Sequence, residues 1–260
     1  MTTFREKCGR WKNLISALTS REIKKRYHKA YLSIAWSIIN PLATLAVFAI
    51  IFYRVAKLNS EGISYPLFSL TGLIPWIFLA NSIQYSSRSL IMSQTMITRL
   101  KFPYISLPIS SVYANLPGFL IPFALLSSWF IFAQNHHSWT LLYVIPIFLI
   151  QFILALGISF FVSIGTAYFR DLQNVLPIFV QCWLLLSPVG YSLGQTGKGL
   201  RFLYLFNPMA GIIDAYRKIL IHQTPPNFEY FFIASITSCF IFVLGYLFFK
   251  KLEWNLADAI

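Results

Sequence analysis

The sequence predicts an all-α integral membrane protein, and three observations carry that prediction. Of its 260 residues 57% are hydrophobic and only 11% charged, with a mean hydropathy of +0.64, whereas a soluble domain carries about 25% charged residues. So few charges cannot cover a globular surface in water, so the solvent for most of the chain is lipid. Runs free of Asp, Glu, Lys and Arg reach 20 to 68 residues. About 20 apolar residues, rising 1.5 Å each, cross the roughly 30 Å hydrocarbon layer. The net charge of +13 is also concentrated: nine of the 21 Lys and Arg residues precede residue 30, where they face anionic headgroups and fix orientation.

The first 29 residues lack the apolar core and cleavage site of a signal peptide, so the first hydrophobic run is expected to act as an uncleaved anchor. Trp11, Leu14, Ile15 and Leu18 follow the i, i+3, i+4, i+7 stripe of an amphipathic helix. Thr19 to Glu22 reads as a T-x-x-E capping box that restarts a helix carrying Arg21, Lys24, Lys25, Arg26 and Lys29. The expectation is an amphipathic, basic N-terminal helix lying in the membrane interface.

Charge-free runs then place six transmembrane helices. Four runs are 30–53, 62–87, 172–197 and 230–249, and the long run 102–169 divides at the polar turn 134–138 into 108–133 and 139–169. An even number of spans puts both termini on one side. With both inside, the inner segments hold 15 Lys and Arg against 6 outside, so the positive-inside rule predicts cytoplasmic termini. Residues 198–229 depart from this pattern, because an apolar stretch there is short and broken by Asn207-Pro208. Pro208 suits a helix start, which predicts short re-entrant half-helices between helices five and six; an amphipathic surface helix is the alternative. The domain reading is a single membrane domain over 1–260, with 1–29 cytoplasmic or interfacial, 30–250 the six-helix body and 251–260 a cytoplasmic tail.

The composition argues against resident chemistry. The long runs hold no ionisable carboxylate or ammonium for a proton or sodium relay, and no two of the eight acids form the D-x-D or adjacent pair that a metal-bound or two-carboxylate site needs. His136 and His137 lack a third ligand. Gly197-Lys198 resembles the end of a P-loop, yet Ser192 stands where its first Gly belongs and Gly199 where Ser or Thr belongs. Cys8, Cys182 and Cys239 are too few and too far apart for a disulfide framework or CxxC site. No nucleic-acid motif explains the basic charge, so no catalytic residue, metal or nucleic-acid partner is expected. Ser33, Ser37, Asn40 and Thr44 repeat at i, i+4, i+7, i+11 along one face of the first span, with a weaker version at Asn174 and Gln181 on the fifth. In lipid such faces turn toward a conduit or toward another helix.

Five stretches in order carry a resemblance: Arg21-Glu22-Ile23-Lys24-Lys25-Arg26-Tyr27 running into Trp36 and Asn40-Pro41; Leu100-Lys101-Phe102-Pro103 with Leu107-Pro108; Tyr168-Phe169-Arg170-Asp171; Asn207-Pro208 to Tyr216-Arg217; and Phe249-Lys250-Lys251-Leu252-Glu253 with Ala257-Asp258. Together they resemble the transmembrane permease subunits of bacterial ABC transporters that export O-antigen, capsule or teichoic acid. Glu22 departs from the family, which more often shows Asp there, but the carboxylate survives. The resemblance implies a homodimeric conduit in the bacterial inner membrane, paired with two copies of a nucleotide-binding ATPase that holds the ATP and Mg, with no cofactor in this chain and a lipid-linked polysaccharide as cargo.

Residue roles follow from the same resemblance. Arg21, Glu22, Lys24, Lys25, Arg26 and Tyr27 belong to an interface helix. Ser93, Gln94, Thr95, Met96, Ile97, Thr98, Arg99, Leu100 and Lys101 form an ATPase-coupling helix. Arg170 and Asp171 close the cytoplasmic mouth, and Asn207, Pro208, Asp214 and Arg217 belong to an outer gate. O-antigen is the first expectation for the cargo. A capsule or teichoic acid exporter is the near alternative, and a passive channel, assembly scaffold or polyprenyl-phosphate-dependent membrane enzyme the more distant one.

Overall fold

A computed structural model describes residues 4–27, 39, 42–47, 50, 63–133, 139–191 and 206–256. Every regular element among them is helical. They are α1 (Phe4–Tyr27), α2 (Tyr65–Ser89), α3 (Gln94–Arg99), α4 (Ser106–Tyr113), α5 (Leu116–Ala133), α6 (Val144–Tyr168), α7 (Leu172–Leu186), α8 (Pro208–Leu220) and α9 (Phe228–Leu252). Four segments are long and apolar enough to cross a membrane: Tyr65–Ser89, Ser106–Phe132, Trp139–Tyr168 and Phe228–Asn255. They coincide with the second, third, fourth and sixth predicted spans. The first, 30–53, lies outside the described residues except at 39, 42–47 and 50, so Ser33, Ser37 and Asn40 of its polar face are not placed.

The fifth span is shorter than predicted. α7 holds 15 residues, or about 22 Å at 1.5 Å per residue, which does not by itself cross the hydrocarbon layer. Its end has a local cause. Pro188 forbids the helical conformation of the residue before it, and Ser187 is extended at φ −99°, ψ 144°. The third span is interrupted at Ala114 and Asn115, because Pro117 has no N–H to continue the ladder; Asn115 N–H instead reaches the Val112 carbonyl at 3.0 Å.

α1 also differs from expectation. It runs unbroken through Thr19, so the capping box is not used: an N-cap needs non-helical backbone, and Thr19 sits amid continuous helix. Glu22 instead pairs with Lys25 at 3.3 Å. The predicted apolar stripe does dock, with Leu18 buried in a cluster that includes Leu90, Ile97, Leu107 and Phe249.

The body is held by two kinds of contact. A dry aromatic core joins α2, α5, α6 and α8, with Phe119 stacked on Phe148 at 4.7 Å and Phe123 edge-on to Tyr216 at 5.4 Å. Elsewhere small residues let backbones touch, as membrane helices require in the absence of a hydrophobic drive between them. A Cβ at Gly157 would lie 2.6 Å from Phe242 Cα, and one at Gly245 would collide with the Gly157 carbonyl. α6 and α9 therefore cross backbone to backbone.

Candidate functional site

The residues singled out by sequence divide between two ends of the bundle. At one end lies the segment 93–101. A 3-10 turn, Ile91–Ser93, leads into the six-residue α3. Leu100 then turns the chain extended, at φ −126° and ψ 132°. Ser93 and Ile97 are buried, whereas Gln94, Thr95, Thr98, Arg99, Leu100 and Lys101 are exposed. One face is thus anchored and the other is exposed. The anchor includes Arg21, whose guanidinium donates to the Met96 sulfur, and Tyr104, whose hydroxyl donates to the Ile97 carbonyl at 3.4 Å.

Arg26 fastens α1 to the same end. It donates to the Asn115 side chain and, at 3.4 Å, to the Ser111 carbonyl, and its guanidinium lies 3.7 Å from the Tyr85 ring centroid. Asn115 passes the contact on, donating to Ser82 Oγ at 3.3 Å. One arginine thereby ties the basic helix to α2 and to the break in the third span. Lys24 and Lys25 are exposed, and the Tyr27 side chain lies outside the description. Arg170 and Asp171, exposed in the turn between α6 and α7, belong to this end too, since Tyr168 donates to the Leu252 carbonyl at 3.0 Å.

The other end gathers around Asn207 and Arg217. Asn207 caps α8, accepting from Met209 N–H at 3.1 Å, and Pro208 occupies the first turn as its sequence predicts. The Asn207 oxygen also accepts from Trp183 Nε1 at 3.1 Å, and its amide donates to Ser187 Oγ at 3.0 Å, so the cap of α8 is also the stop of α7. Arg217 is only 4% exposed. It donates to the Tyr191 carbonyl at 2.8 Å and the Val189 carbonyl at 2.6 Å, with its guanidinium 3.8 Å from the Phe68 ring centroid. Gly72 makes room: a Cβ there would meet the guanidinium at 3.3 Å and Val189 Cα at 3.2 Å. A charge buried at this depth is affordable only because donated hydrogen bonds and a ring face replace its water. Asp214 is partly buried on α8.

Sequence reasoning missed a buried link between α2, α6 and α8. Gln151 donates to the Pro75 carbonyl at 2.8 Å and accepts from the Tyr216 hydroxyl at 2.9 Å, all fully buried. A lone glutamine in a charge-free run was the available signal. Asn174 and Gln181 lie seven residues apart on the exposed face of α7, beside Val175, Ile178 and Phe179. Only Leu176 and Val180 of that helix are buried. Thr44 is partly buried. Among the described residues no three His, Cys, Asp or Glu side chains converge as metal ligands.

A chain built this way has relatives. The model of the ABC-2 type transporter family matches residues 13–221. The chain is 29% identical over 251 residues to an O-antigen export system permease protein RfbA of Klebsiella pneumoniae, covering 95% of both chains. It is 24% identical over 255 residues to the RfbA of Myxococcus xanthus, covering 96% of both. With the polysialic acid transport protein KpsM of Escherichia coli it shares 24% identity over 208 residues, 80% of this chain and 81% of the other. With its helices apolar enough to span a bilayer and a family match that takes in both ends of the bundle, this chain belongs to the ABC-2 type transporter family.

Proposed function

We propose that the chain is the permease subunit of an ATP-driven exporter that moves a lipid-linked polysaccharide, O-antigen first, across the bacterial inner membrane. The observation that carries this is the match along 95% of both chains with an O-antigen export permease. The more partial match to a polysialic acid transporter favours capsule polysaccharide as the second reading. Two copies form the conduit, and two copies of a separate ATPase supply the work with their own bound ATP and Mg.

The geometry supplies a mechanism for this reading. α3 is the coupling helix: its exposed face with Thr95, Thr98 and Arg99 seats in the ATPase, and its buried Ile97 transmits the displacement. Ile97, Leu90 and Leu107 share one packed cluster, so a push on α3 moves α2 and α4 as a body. The termini and this end lie on the cytoplasmic side, in line with the 15 to 6 distribution of basic residues. In this reading α7 meets the second copy through its exposed face, and Asn174 and Gln181 line the conduit together with Ser33, Ser37, Asn40 and Thr44. Arg170 and Asp171 stand at the inner mouth; α8 is the second re-entrant half-helix, with Asn207, Pro208, Asp214 and Arg217 at the outer gate. Co-purification of the tagged chain from native membranes tests the reading. A stoichiometric P-loop ATPase whose hydrolysis accompanies glycan export supports it, and purification without any nucleotide-hydrolysing partner refutes it.

A further inference from the structure

A cavity of about 400 Å³ opens at the coupling end, lined by Lys101, Phe102, Tyr104, Lys250, Glu253 and Trp254. Its walls are fixed. The two oxygens of Glu253 are engaged, one accepting from Tyr104 N–H at 3.0 Å and the other from the Lys250 ammonium at 2.6 Å. The Phe102 and Tyr104 rings meet edge to face at 5.3 Å. Lys101 has no acidic partner among the described residues, so two ammoniums face one carboxylate and the cavity keeps a net positive charge. Trp254, 92% exposed, stands at its rim.

Depth identifies the occupant. The segment Phe228–Asn255 has 28 residues, about 42 Å of helix, longer than the roughly 30 Å hydrocarbon core, so its last turn lies among headgroups. An exposed indole beside lysines at that level matches the aromatic belt and the basic rim of a membrane interface. We propose that this cavity holds the phosphate head of a single membrane lipid, Lys101 and Lys250 meeting the phosphate and Trp254 and Phe102 flanking the glycerol or isoprenoid stem. Two sources share that chemistry, a bilayer phospholipid and a polyprenyl diphosphate carrier. The proposal does not depend on which glycan is exported, or on export at all.

The test is native mass spectrometry of the full detergent-solubilised chain titrated with phosphatidylglycerol, phosphatidylcholine or undecaprenyl diphosphate. An ammonium at the headgroup layer is worth about fivefold in affinity for an anionic lipid. The expected result is one tightly retained anionic lipid per chain, weakened about fivefold by Lys101→Gln and about 25-fold by Lys101→Gln with Lys250→Gln. Lys251→Gln, one residue outside the lining, weakens retention clearly less than Lys101→Gln. Displacement of phosphatidylglycerol by undecaprenyl diphosphate assigns the cavity to the carrier, and failure to displace assigns it to a resident phospholipid. Equal retention by all variants, or equal loss in Lys251→Gln, overturns the proposal. Because lipid retention is read on the isolated chain, failure here leaves the exporter reading standing, and failure of that reading leaves this one standing.

Discussion

Replacing Arg217 by Met tests whether the α8 end of the bundle is locked by one buried guanidinium. The shorter apolar side chain loses the bonds to the Val189 and Tyr191 carbonyls and the guanidinium's seat over the Phe68 ring. A hydrogen bond from a charged donor contributes about 1.5–3 kcal/mol in water-soluble proteins, while bonds between membrane helices average nearer 0.6 kcal/mol. Both carbonyls sit in a turn where Val189 is fully buried, so the loss leaves them without these donors, and about 3 kcal/mol in all is the expected cost. For a chain of this size that lowers the Tm by roughly 6–12 °C. Arg217→Lys retains the charge but not the two-pronged geometry, and falls between. The assay is thermal unfolding of the detergent-solubilised protein followed by tryptophan fluorescence, with export measured in parallel. Equal Tm for wild type, Lys and Met variants would refute the latch.

The other expectations address separate contacts. Arg99→Glu leaves the Tm unchanged, because the side chain is exposed, but lowers ATPase co-purification and uncouples hydrolysis from export; normal export with normal coupling would remove α3 from that role. Tyr216→Phe costs about 1 kcal/mol and Gln151→Leu more, since the latter strands a buried hydroxyl, while the double variant recovers part of the loss; strict additivity in unfolding measurements would contradict the pairing. Gly245→Ala gains about 0.5–1 kcal/mol of helix propensity yet drives a methyl into the Gly157 carbonyl, whose backbone cannot yield. Overpacking of 1–3 kcal/mol outweighs the gain, so the variant is less stable, and a raised Tm would show that α6 and α9 cross elsewhere.

The membrane class was legible because hydrocarbon imposes it: a run without charge must be helical and must be long enough. Four of the predicted spans therefore fall within a few residues of the observed helices. The start of α8 was legible as well, since Asn207 and Pro208 act on neighbouring backbone. What escaped depends on distance in sequence. Pro188 was visible and ends α7 locally, but the bonds that Asn207 makes back to Trp183 and Ser187 cross 24 and 20 residues of sequence. Gln151 and Tyr216 stand 65 residues apart, and the partners of Arg217 are main-chain carbonyls, which every residue has and no spacing reveals. Thr19 shows the reverse error: the capping-box pattern was present, but no Gly or Pro opens the helix there, so continuous α1 wins.

The contacts are distributed unevenly, and that asymmetry bears on how such a permease moves. α2, α6, α8 and α9 are joined by the Gln151 relay, the aromatic core and the glycine crossings. α7 is joined mainly at its ends, through the Arg170–Asp171 turn and through the knot of Asn207, Ser187 and Trp183, with only Leu176 and Val180 buried along its length. Segments with few buried apolar contacts open at lower free energy than the core around them, so α7 is the element free to shift between two fixed ends. Its uncovered face carries Asn174 and Gln181, the positions assigned to the conduit. Hydrogen–deuterium exchange of the solubilised chain is expected to be faster in peptides from α7 than in those from α6, and a second copy packed on the exposed face slows it. Protection of α7 equal to that of α6 in the monomer would mean that the rigid body includes it, and the conduit would then have to open between other helices.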